Sequence, residues 1–189
     1  MSIFEAWRKE HKLAGSSKPD FRLEIRQSVQ HFEKDTGYTL VFLGLRIINA
    51  GIDSAILEYS AHYKDEHFDE DCQLLALANK VIKLRMPNNS FFVMDPKDAL
   101  NRRSPDKVIP KGGFVSGRLV FRVTGNRCDA IADGRAVITV KIQDYLGTEY
   151  REEFRGTGKK ETPMYMPGEP LAEGVLRPKD FRKIKRDRN

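Results

Sequence analysis

Two stretches of the chain have apolar side chains at strictly every second position over part of their length, and glycines bound both stretches. In the first, Phe114 to Thr124, the side chains of Leu119, Phe121 and Val123 occupy every second position. In the second, residues 136–142, every even position is apolar. A side-chain period of two between turn-forming residues predicts antiparallel strands that bury one face and expose the other to water. The alternation therefore favours folds that are built from antiparallel sheets.

Two earlier segments repeat this alternation. In the first, the apolar side chains that share one face are Phe21, Leu23, Ile25 and Val29. In the second, the corresponding side chains are Leu57, Tyr59, Ala61 and Tyr63. Because successive side chains of a strand point to opposite faces, we expect each segment to have one buried face and one wet face.

The segment between these two differs, because residues 39–49 are apolar at nearly every position except Arg46. A strand with two apolar faces is typical of a central position with cover on both sides. Near the other end, a turn at Asp144–Gly147 leads into a sixth strand, residues 148–154. Six or more short strands separated by turns predict an all-β sandwich or barrel.

The middle of the chain is less regular. Residues 65–71 form an acidic loop, and the residues after it recur at helical spacing, as Leu74, Ala78, Val81 and Arg85. This spacing favours a helix within residues 72–85, whose first turn the acidic side chains would stabilise. A strand at 81–86 is the alternative. Residues 91–94 predict a short strand, and residues 96–110 predict a loop.

Positive charge is concentrated at the ends of the chain, whose formal net charge is +6 over 189 residues. Residues 177–189 carry seven basic and two acidic side chains, and residues 1–18 carry four basic and two acidic ones. The body between them, residues 19–176, has a net charge of −1. We therefore expect an electrostatic partner to bind the ends rather than the body.

The two ends also differ from the body in pattern. Residues 1–19 predict a short helix and a linker, because Gly15–Pro19 would end the helix. The apolar residues on one side of this helix would be Ile3, Phe4 and Trp7. We expect the helix to cover an edge or end of a sheet; a membrane-surface or partner-binding helix is the alternative. Residues 156–189 predict a flexible Gly/Pro linker and a basic arm, which leaves residues 20–155 for the sandwich.

The composition also indicates the cellular compartment in which the protein is expected to function. No apolar run approaches the length of a membrane helix, and the N-terminus lacks the apolar segment of a secretory signal. Two cysteines, Cys72 and Cys128, are too few for a disulfide framework. We therefore expect a reducing, cytoplasmic setting and no membrane association.

Three short segments carry a resemblance to a known group. Leu45–Gly51 with the alternating strand after it, the strand entry at Ile109–Gly113 and the strand exit at Gln143–Gly147 resemble those of small bacterial immunoglobulin-like sandwich modules. The resemblance covers residues 20–155, although the irregular middle of the chain departs from a compact seven-strand plan. The Cys-Trp-Cys signature is also missing, because the one tryptophan, Trp7, lies outside this region. The resemblance implies a recognition or assembly module and carries over no catalytic residue.

The strongest metal candidates are His62, His67 and Cys72, with five acidic residues between them. Imidazole, thiolate and carboxylate groups bind zinc when a loop brings them together. However, the spacings match no established zinc pattern, and the acidic residues lack the glycine that an EF-hand loop requires. We expect a solvated acidic loop and no cofactor, and keep a metal-dependent enzyme centred on residues 62–72 as an alternative.

The basic arm is the clearest candidate for binding. Its charged and aromatic residues are Arg177, Lys179, Phe181, Arg182, Lys183, Lys185, Arg186 and Arg188. Seven cations suffice to neutralise several phosphates, which would give salt-sensitive nucleic-acid binding without sequence preference. The same charges suit an acidic protein surface, or serve only to keep the chain soluble.

Catalysis receives little support from the sequence. No serine stands in a Gly-x-Ser-x-Gly elbow, and the histidines, His11, His31, His62 and His67, occupy no recognised catalytic setting. The leading hypothesis is a non-catalytic module that binds an unidentified protein partner or assembles into a larger complex. A protein that associates with nucleic acid through its arm is the first alternative.

Overall fold

A computed structural model describes residues 18–75, 81–85, 91–100 and 108–157. Most of these residues lie in strands of antiparallel sheets. The strands are β1 Phe21–Glu33, β2 Tyr38–Asn49, β3 Ile56–Lys64, β4 Asp69–Asp71, β5 Gln73–Leu74, β6 Ile82–Arg85, β7 Phe91–Met94, β8 Phe114–Thr124, β9 Val137–Asp144 and β10 Glu149–Arg155. A 3₁₀ turn spans Pro96–Asp98, and a short helix, α1, spans Cys128–Ala132.

Two four-stranded sheets pack face to face. Sheet 1 has the order β1-β2-β8-β5, and sheet 2 has the order β10-β9-β3-β4. The core between them includes Leu43, Ile47 and Phe121 from sheet 1 and Ile138 and Val140 from sheet 2, all inaccessible to solvent. The predicted alternation in β8 and β9 is therefore confirmed, because its apolar positions face this core.

Strand β2 is covered on both faces, as its apolar sequence predicts. Val41, Leu43, Leu45 and Ile47 contribute to the core between the sheets. Leu40 and Phe42 point the other way, into a second apolar cluster with Phe92 and Met94. The latter two belong to the β6–β7 hairpin, which therefore covers part of the outer face of sheet 1.

Bulges in β1 and β3 change which side chains face the core. The register of β1 shifts between Ile25 and Gln27, so Val29 pairs with Phe42 and joins the outer cluster. In β3 the register shifts between Ile56 and Glu58; Ile56 is buried, whereas Leu57 is 49% exposed. The expectation that Val29 and Leu57 share the core faces of their strands is wrong. An extra residue in one strand inverts the alternation on one side of the bulge.

The helix predicted within residues 72–85 is also wrong for the described part of that range. Gln73–Leu74 forms β5 at the edge of sheet 1, and Ile82–Arg85 forms β6. Residues 76–80 lie outside the described range. Ile82 and Leu84 alternate into the outer cluster because β6 pairs with β7, the strand predicted at Phe91–Met94. Burial against the sheet thus overrides the helical spacing of this segment.

Other predictions fall outside the described residues or were too coarse. The N-terminal helix predicted within residues 1–19 lies almost wholly outside them, and so does the arm from residue 158 onward. Between the two alternating stretches, residues 125–134 contain the short helix α1 rather than a turn alone. In the parts of the chain that the structure describes, no helix has the length and apolar character needed to span a membrane.

Candidate functional site

A groove of about 430 Å³ lies on the outer face of sheet 2, and we call it the sheet 2 groove. Three neighbouring strands supply its polar walls, since Glu58 pairs with Gln143 across β3 and β9, and Gln143 pairs with Glu149 across β9 and β10. Ser60 opposite Lys141 forms the next row. The residues that line the groove are Glu58, Ser60, Ala61, His62, Asp71, Cys72, Lys141, Ile142, Gln143 and Glu149.

The groove lies where the edge of sheet 2 is open. Strand β4 pairs with only the last three residues of β3, His62 to Lys64. The Cys72 amide donates a 2.8 Å hydrogen bond to the Ala61 carbonyl, which is the last backbone hydrogen bond of this segment to β3 that the structure describes. The chain then continues into β5 of sheet 1. In the described ranges, the pairing of β4 with β3 therefore ends at His62 and does not continue toward Ile56.

Charged side chains in and beside the groove form close pairs. Lys141 Nζ lies 3.4 Å from the Glu149 carboxylate across β9 and β10. The His62 ring lies between two carboxylates of β4, with Nδ1 2.9 Å from Asp71 Oδ1 and Nε2 2.7 Å from Asp69 Oδ1. Lys64 Nζ contacts the second oxygen of Asp69 at 2.7 Å. The groove lining thus has three acidic side chains, Glu58, Asp71 and Glu149, beside one lysine and the His62 imidazole.

The two carboxylates change the titration of His62. The hydrogen bond with Asp71, followed by that with Asp69, raises the pKa of the imidazole above its usual value. The hydrogen bonds from Lys64 and His62 in turn lower the pKa of Asp69. The positive form of the ring can donate from both nitrogens at once, which a neutral imidazole cannot do. His62 therefore holds β4 against β3 more strongly when it is protonated.

The acidic loop before β4 is ordered by one aspartate and one arginine. Asp65 Oδ1 accepts hydrogen bonds from the amides of His67 and Phe68, both at 2.8 Å. The Arg127 guanidinium carbon lies 3.4 Å from the centre of the Phe68 ring, and its Nη1 lies 3.7 Å from Asp65 Oδ2. These contacts fix the loop to the segment before α1, and so fix the position of β4.

The three metal candidates do not converge. Both nitrogens of the His62 ring face carboxylates, and the Cys72 side chain packs against the core between the sheets. The structure records His67 through its amide, which donates to Asp65. Within the described ranges, no group of three or more His, Cys, Asp or Glu side chains has an arrangement that could hold a metal ion.

Neither cysteine resembles a reactive thiol. Burial is the largest cause that raises the pKa of Cys72, to about 12, and nearby Glu70 and Asp71 add to it. Burial also raises the pKa of Cys128, to about 11. Because the thiolate is the nucleophilic form, both side chains are almost wholly in the unreactive thiol form at neutral pH.

The groove includes residues that the sequence did not single out, namely Glu58, Ser60, Lys141, Gln143 and Glu149. Their alternation predicts only that each faces solvent. What brings them together is the register of β3, β9 and β10, and a pattern within one strand carries no information about its partner. Conversely, the candidate binding residues of the arm, Arg177 to Arg188, lie outside the described residues.

Comparisons with known proteins identify no relative of established function. No family model matches the chain, and no curated protein matches it. One similar solved structure is a proposed lipoprotein of Staphylococcus aureus subsp. aureus NCTC 8325, with 14% identity over 80% of this chain and 95% of that chain and a TM-score of 0.43. Another is a target of the Northeast Structural Genomics Consortium, with 13% identity over 87% of this chain and 98% of that chain and a TM-score of 0.29. Both scores are too low to support an argument about fold or function.

Proposed function

We propose that this chain is a non-catalytic protein-interaction module that binds an extended polypeptide segment at the sheet 2 groove. The observation that carries the proposal is the short reach of β4, which pairs with β3 only over His62–Lys64, and the groove that lies directly alongside β3. An exposed strand edge can accept hydrogen bonds from an extended peptide, and an adjacent groove can receive its side chains. Leu57, 49% exposed on this edge, offers an apolar contact.

The proposal includes a fold of the immunoglobulin-like type. Its support is the strand order: with the β6–β7 hairpin set aside, β1-β2-β8-β5 corresponds to the A-B-E-D sheet of such domains. The order β10-β9-β3-β4 corresponds to G-F-C with one further C′ strand. Domains of this architecture commonly work by recognition, which agrees with the proposed role but does not identify the partner.

The charges of the groove suggest the chemistry of the bound segment. Glu58, Asp71 and Glu149 surround the groove, and its lining also contains Lys141 and the imidazole of His62. A segment with a lysine or arginine near an apolar residue would match both the acidic walls and Leu57. Electrostatic complementarity of this kind mainly accelerates association and selects the partner.

The proposal extends to a reducing, cytoplasmic setting. It is supported by the two cysteines, both of which are free thiols. Purification from intact cells with immediate thiol alkylation, followed by mass spectrometry, tests this setting. Two alkylated cysteines are expected, and a disulfide that involves either of them would contradict it.

A phage-displayed library of random dodecapeptides tests the binding site. We expect the full-length protein to enrich peptides that contain lysine or arginine and to lose them when the groove is blocked by Ser60→Arg or inverted in charge by Glu58→Lys. Glu153→Lys is the matched control, because Glu153 is exposed on the same sheet but does not line the groove. Amide exchange of residues 56–61 should slow when an enriched peptide binds.

Three outcomes would contradict this assignment. The library can yield no peptide above background, the two groove variants can retain all binding, or the Glu153→Lys control can lose it equally. In the second and third cases the binding surface lies elsewhere on the protein. Circular dichroism of each variant separates a local effect from loss of the fold.

The basic arm favours a second candidate, binding to nucleic acid. Seven basic side chains within residues 177–189 can neutralise several phosphates, and each contact adds to the salt dependence of binding. Fluorescence anisotropy with a labelled random-sequence oligonucleotide should then show an affinity that falls steeply with salt. The affinity should vanish when the chain ends at Gly158, while groove variants leave it unchanged.

A further inference from the structure

The outer face of sheet 1 is only partly covered by the β6–β7 hairpin. Under the hairpin lie Val29, Phe42 and Val120, in one row across β1, β2 and β8. Toward the other end of the same face lies a second row, formed by Arg22, Ile48 and Phe114. Phe114 is 58% exposed there, so an apolar ring continues the face beyond its cover. We call Arg22, Arg46, Ile48 and Phe114 the Phe114 patch.

Arg46 gives this patch a second unusual feature. Its guanidinium carbon lies 4.3 Å from the centre of the Phe114 ring, and its Nη1 lies 4.0 Å from the Glu24 carboxylate. Its Nε is buried and has no hydrogen-bond partner among the residues that the structure describes. A buried donor without an acceptor costs free energy, so an additional acceptor beside Arg46 would be stabilising. Whatever covers the patch should supply both an apolar contact and an acceptor.

The start of the described chain lies beside this patch. Arg22 belongs to the same cross-strand row as Phe114 and stands four residues after Lys18, where the description begins. Pro19 and Asp20 are held at this end of the sandwich, because the Pro19 carbonyl accepts a 2.7 Å hydrogen bond from Tyr150 and the Asp20 carbonyl accepts one of 2.7 Å from the Ala50 amide. The segment before Lys18 therefore leaves the body at the end of the sandwich where β1 begins, which is also the end where β8 begins with Phe114.

The segment before Lys18 contains both kinds of group that could contact the patch, apolar side chains and hydrogen-bond acceptors. Ile3, Phe4 and Trp7 supply apolar side chains, and Glu5 and Glu10 supply carboxylate acceptors. Residues 14–17 can span roughly 13 Å when extended. Two strand spacings separate Arg22 from Phe114, which is roughly 10 Å. The reach of the connection thus exceeds the width of the patch, so a segment that folds back beside β1 can extend across the patch to Phe114.

We propose that residues 2–13 dock on the Phe114 patch of the same chain, with Trp7 and Phe4 against Phe114. The docked segment completes the cover of sheet 1 that the hairpin begins. This inference is independent of the function proposed for the sheet 2 groove, since it concerns the opposite outer face of the sandwich.

Trp7 provides a direct test, because it is the single tryptophan of the chain. We expect its fluorescence emission to be blue-shifted in the full-length protein and its quenching by acrylamide to be weaker than in the urea-unfolded chain. Phe114→Ser should shift the emission to the red and raise quenching to the unfolded value. Phe91→Ser is the matched control: Phe91 is 59% exposed on the hairpin, and its replacement should leave Trp7 unchanged.

Each other result would overturn the proposal. Trp7 that is as exposed as in the unfolded chain would exclude docking altogether, and equal shifts in the two variants would exclude the Phe114 patch as the specific site. A blue shift that disappears on dilution would assign the contact to a second copy. If Phe114→Ser does not fold, hydrogen exchange of the unmodified protein decides: amides of residues 2–13 must exchange more slowly than in an unstructured peptide.

Discussion

The outer faces of the two sheets differ in polarity and in how much of each face is covered. On sheet 1 the outer face carries Val29, Phe42 and Val120, and a hairpin inserted between β5 and β8 covers these three side chains. On sheet 2 the outer face carries Ser60, His62 and Lys141, and the described chain leaves it exposed apart from β4 at its edge. A sheet with two apolar faces requires a third layer, whereas a sheet with one polar face does not. The second arrangement leaves a surface that is free to bind.

The largest expected difference between the two faces concerns stability. Phe92→Ala should lower the free energy of unfolding by about 3–5 kcal/mol, because the ring is buried between the hairpin and sheet 1, with its centre 5.3 Å from that of Phe42. Phe91→Ala on the exposed side of β7 and Lys141→Ala on sheet 2 should each change it by less than about 0.5 kcal/mol. Urea unfolding followed by circular dichroism measures all three. Equal effects of Phe92→Ala and Phe91→Ala would mean that the hairpin does not act as a cover.

The edges of the sheets provide a second contrast. Residues 96–100 run beside β8, and a Cβ added at Gly117 would lie 2.5 Å from the Asp98 carbonyl oxygen and 2.8 Å from the Leu100 side chain. Gly117→Ala should therefore cost about 1–3 kcal/mol, the usual effect of overpacking. The control is Gly44→Ala, where the nearest atom is the Gln27 Cβ at 3.4 Å, which is an ordinary contact.

Thermal unfolding of both glycine variants measures this contrast. If Gly117→Ala is as stable as Gly44→Ala, residues 96–100 can move away from β8 at little cost. The edge of sheet 1 would then be nearly as accessible as the open edge of β3. The closed edge of sheet 1 would then not be held more firmly than the edge of β3.

The sequence predicted the strands better than it predicted their partners. The alternation of β8 and β9 and the two apolar faces of β2 follow from side-chain periodicity, which is local and leaves a direct record in the sequence. The bulges of β1 and β3 leave no such record, because one extra residue does not change the composition of a strand. Likewise, Ile82 and Leu84 match a helix or a strand equally well until β7 is placed beside them. The groove was missed for the same reason, since it depends on the register of three strands.

The two faces also place their histidines in opposite environments. His31 pairs with Leu40 on the covered side of sheet 1, and burial lowers the pKa of its imidazole. A lowered pKa in the folded state means that the unfolded chain binds a proton more readily. The contribution of His31 to stability should therefore decrease as the pH falls below about 6.5, the value for an unperturbed histidine. Proton NMR should give a midpoint for His31 below that value, and a midpoint at or above it would contradict the burial.

The smallest expected effect belongs to His62 on the exposed face and has the opposite sign. Its pKa is raised in the folded state, chiefly by the hydrogen bond with Asp71. Its contribution to stability should be complete below about pH 6.5 and should disappear as the pH rises through the folded pKa. Exposed ion pairs contribute little, so His62→Gln should shift the unfolding temperature by only about 1–2 °C at pH 5.5 and by less at pH 8.5.

The NMR titration of His62 separates its local partners from the general charge of the sheet. Asp71→Asn should lower the His62 pKa, because it removes the strongest of the contacts that favour the protonated ring. Glu153→Gln should leave it unchanged, since Glu153 lies two strands away, opposite Thr139. An equal shift in both variants would mean that the whole outer face, rather than the pair of β4 carboxylates, sets the charge of His62. The attachment of β4 beside the groove would then respond to any change of charge on sheet 2, including the binding of a basic segment.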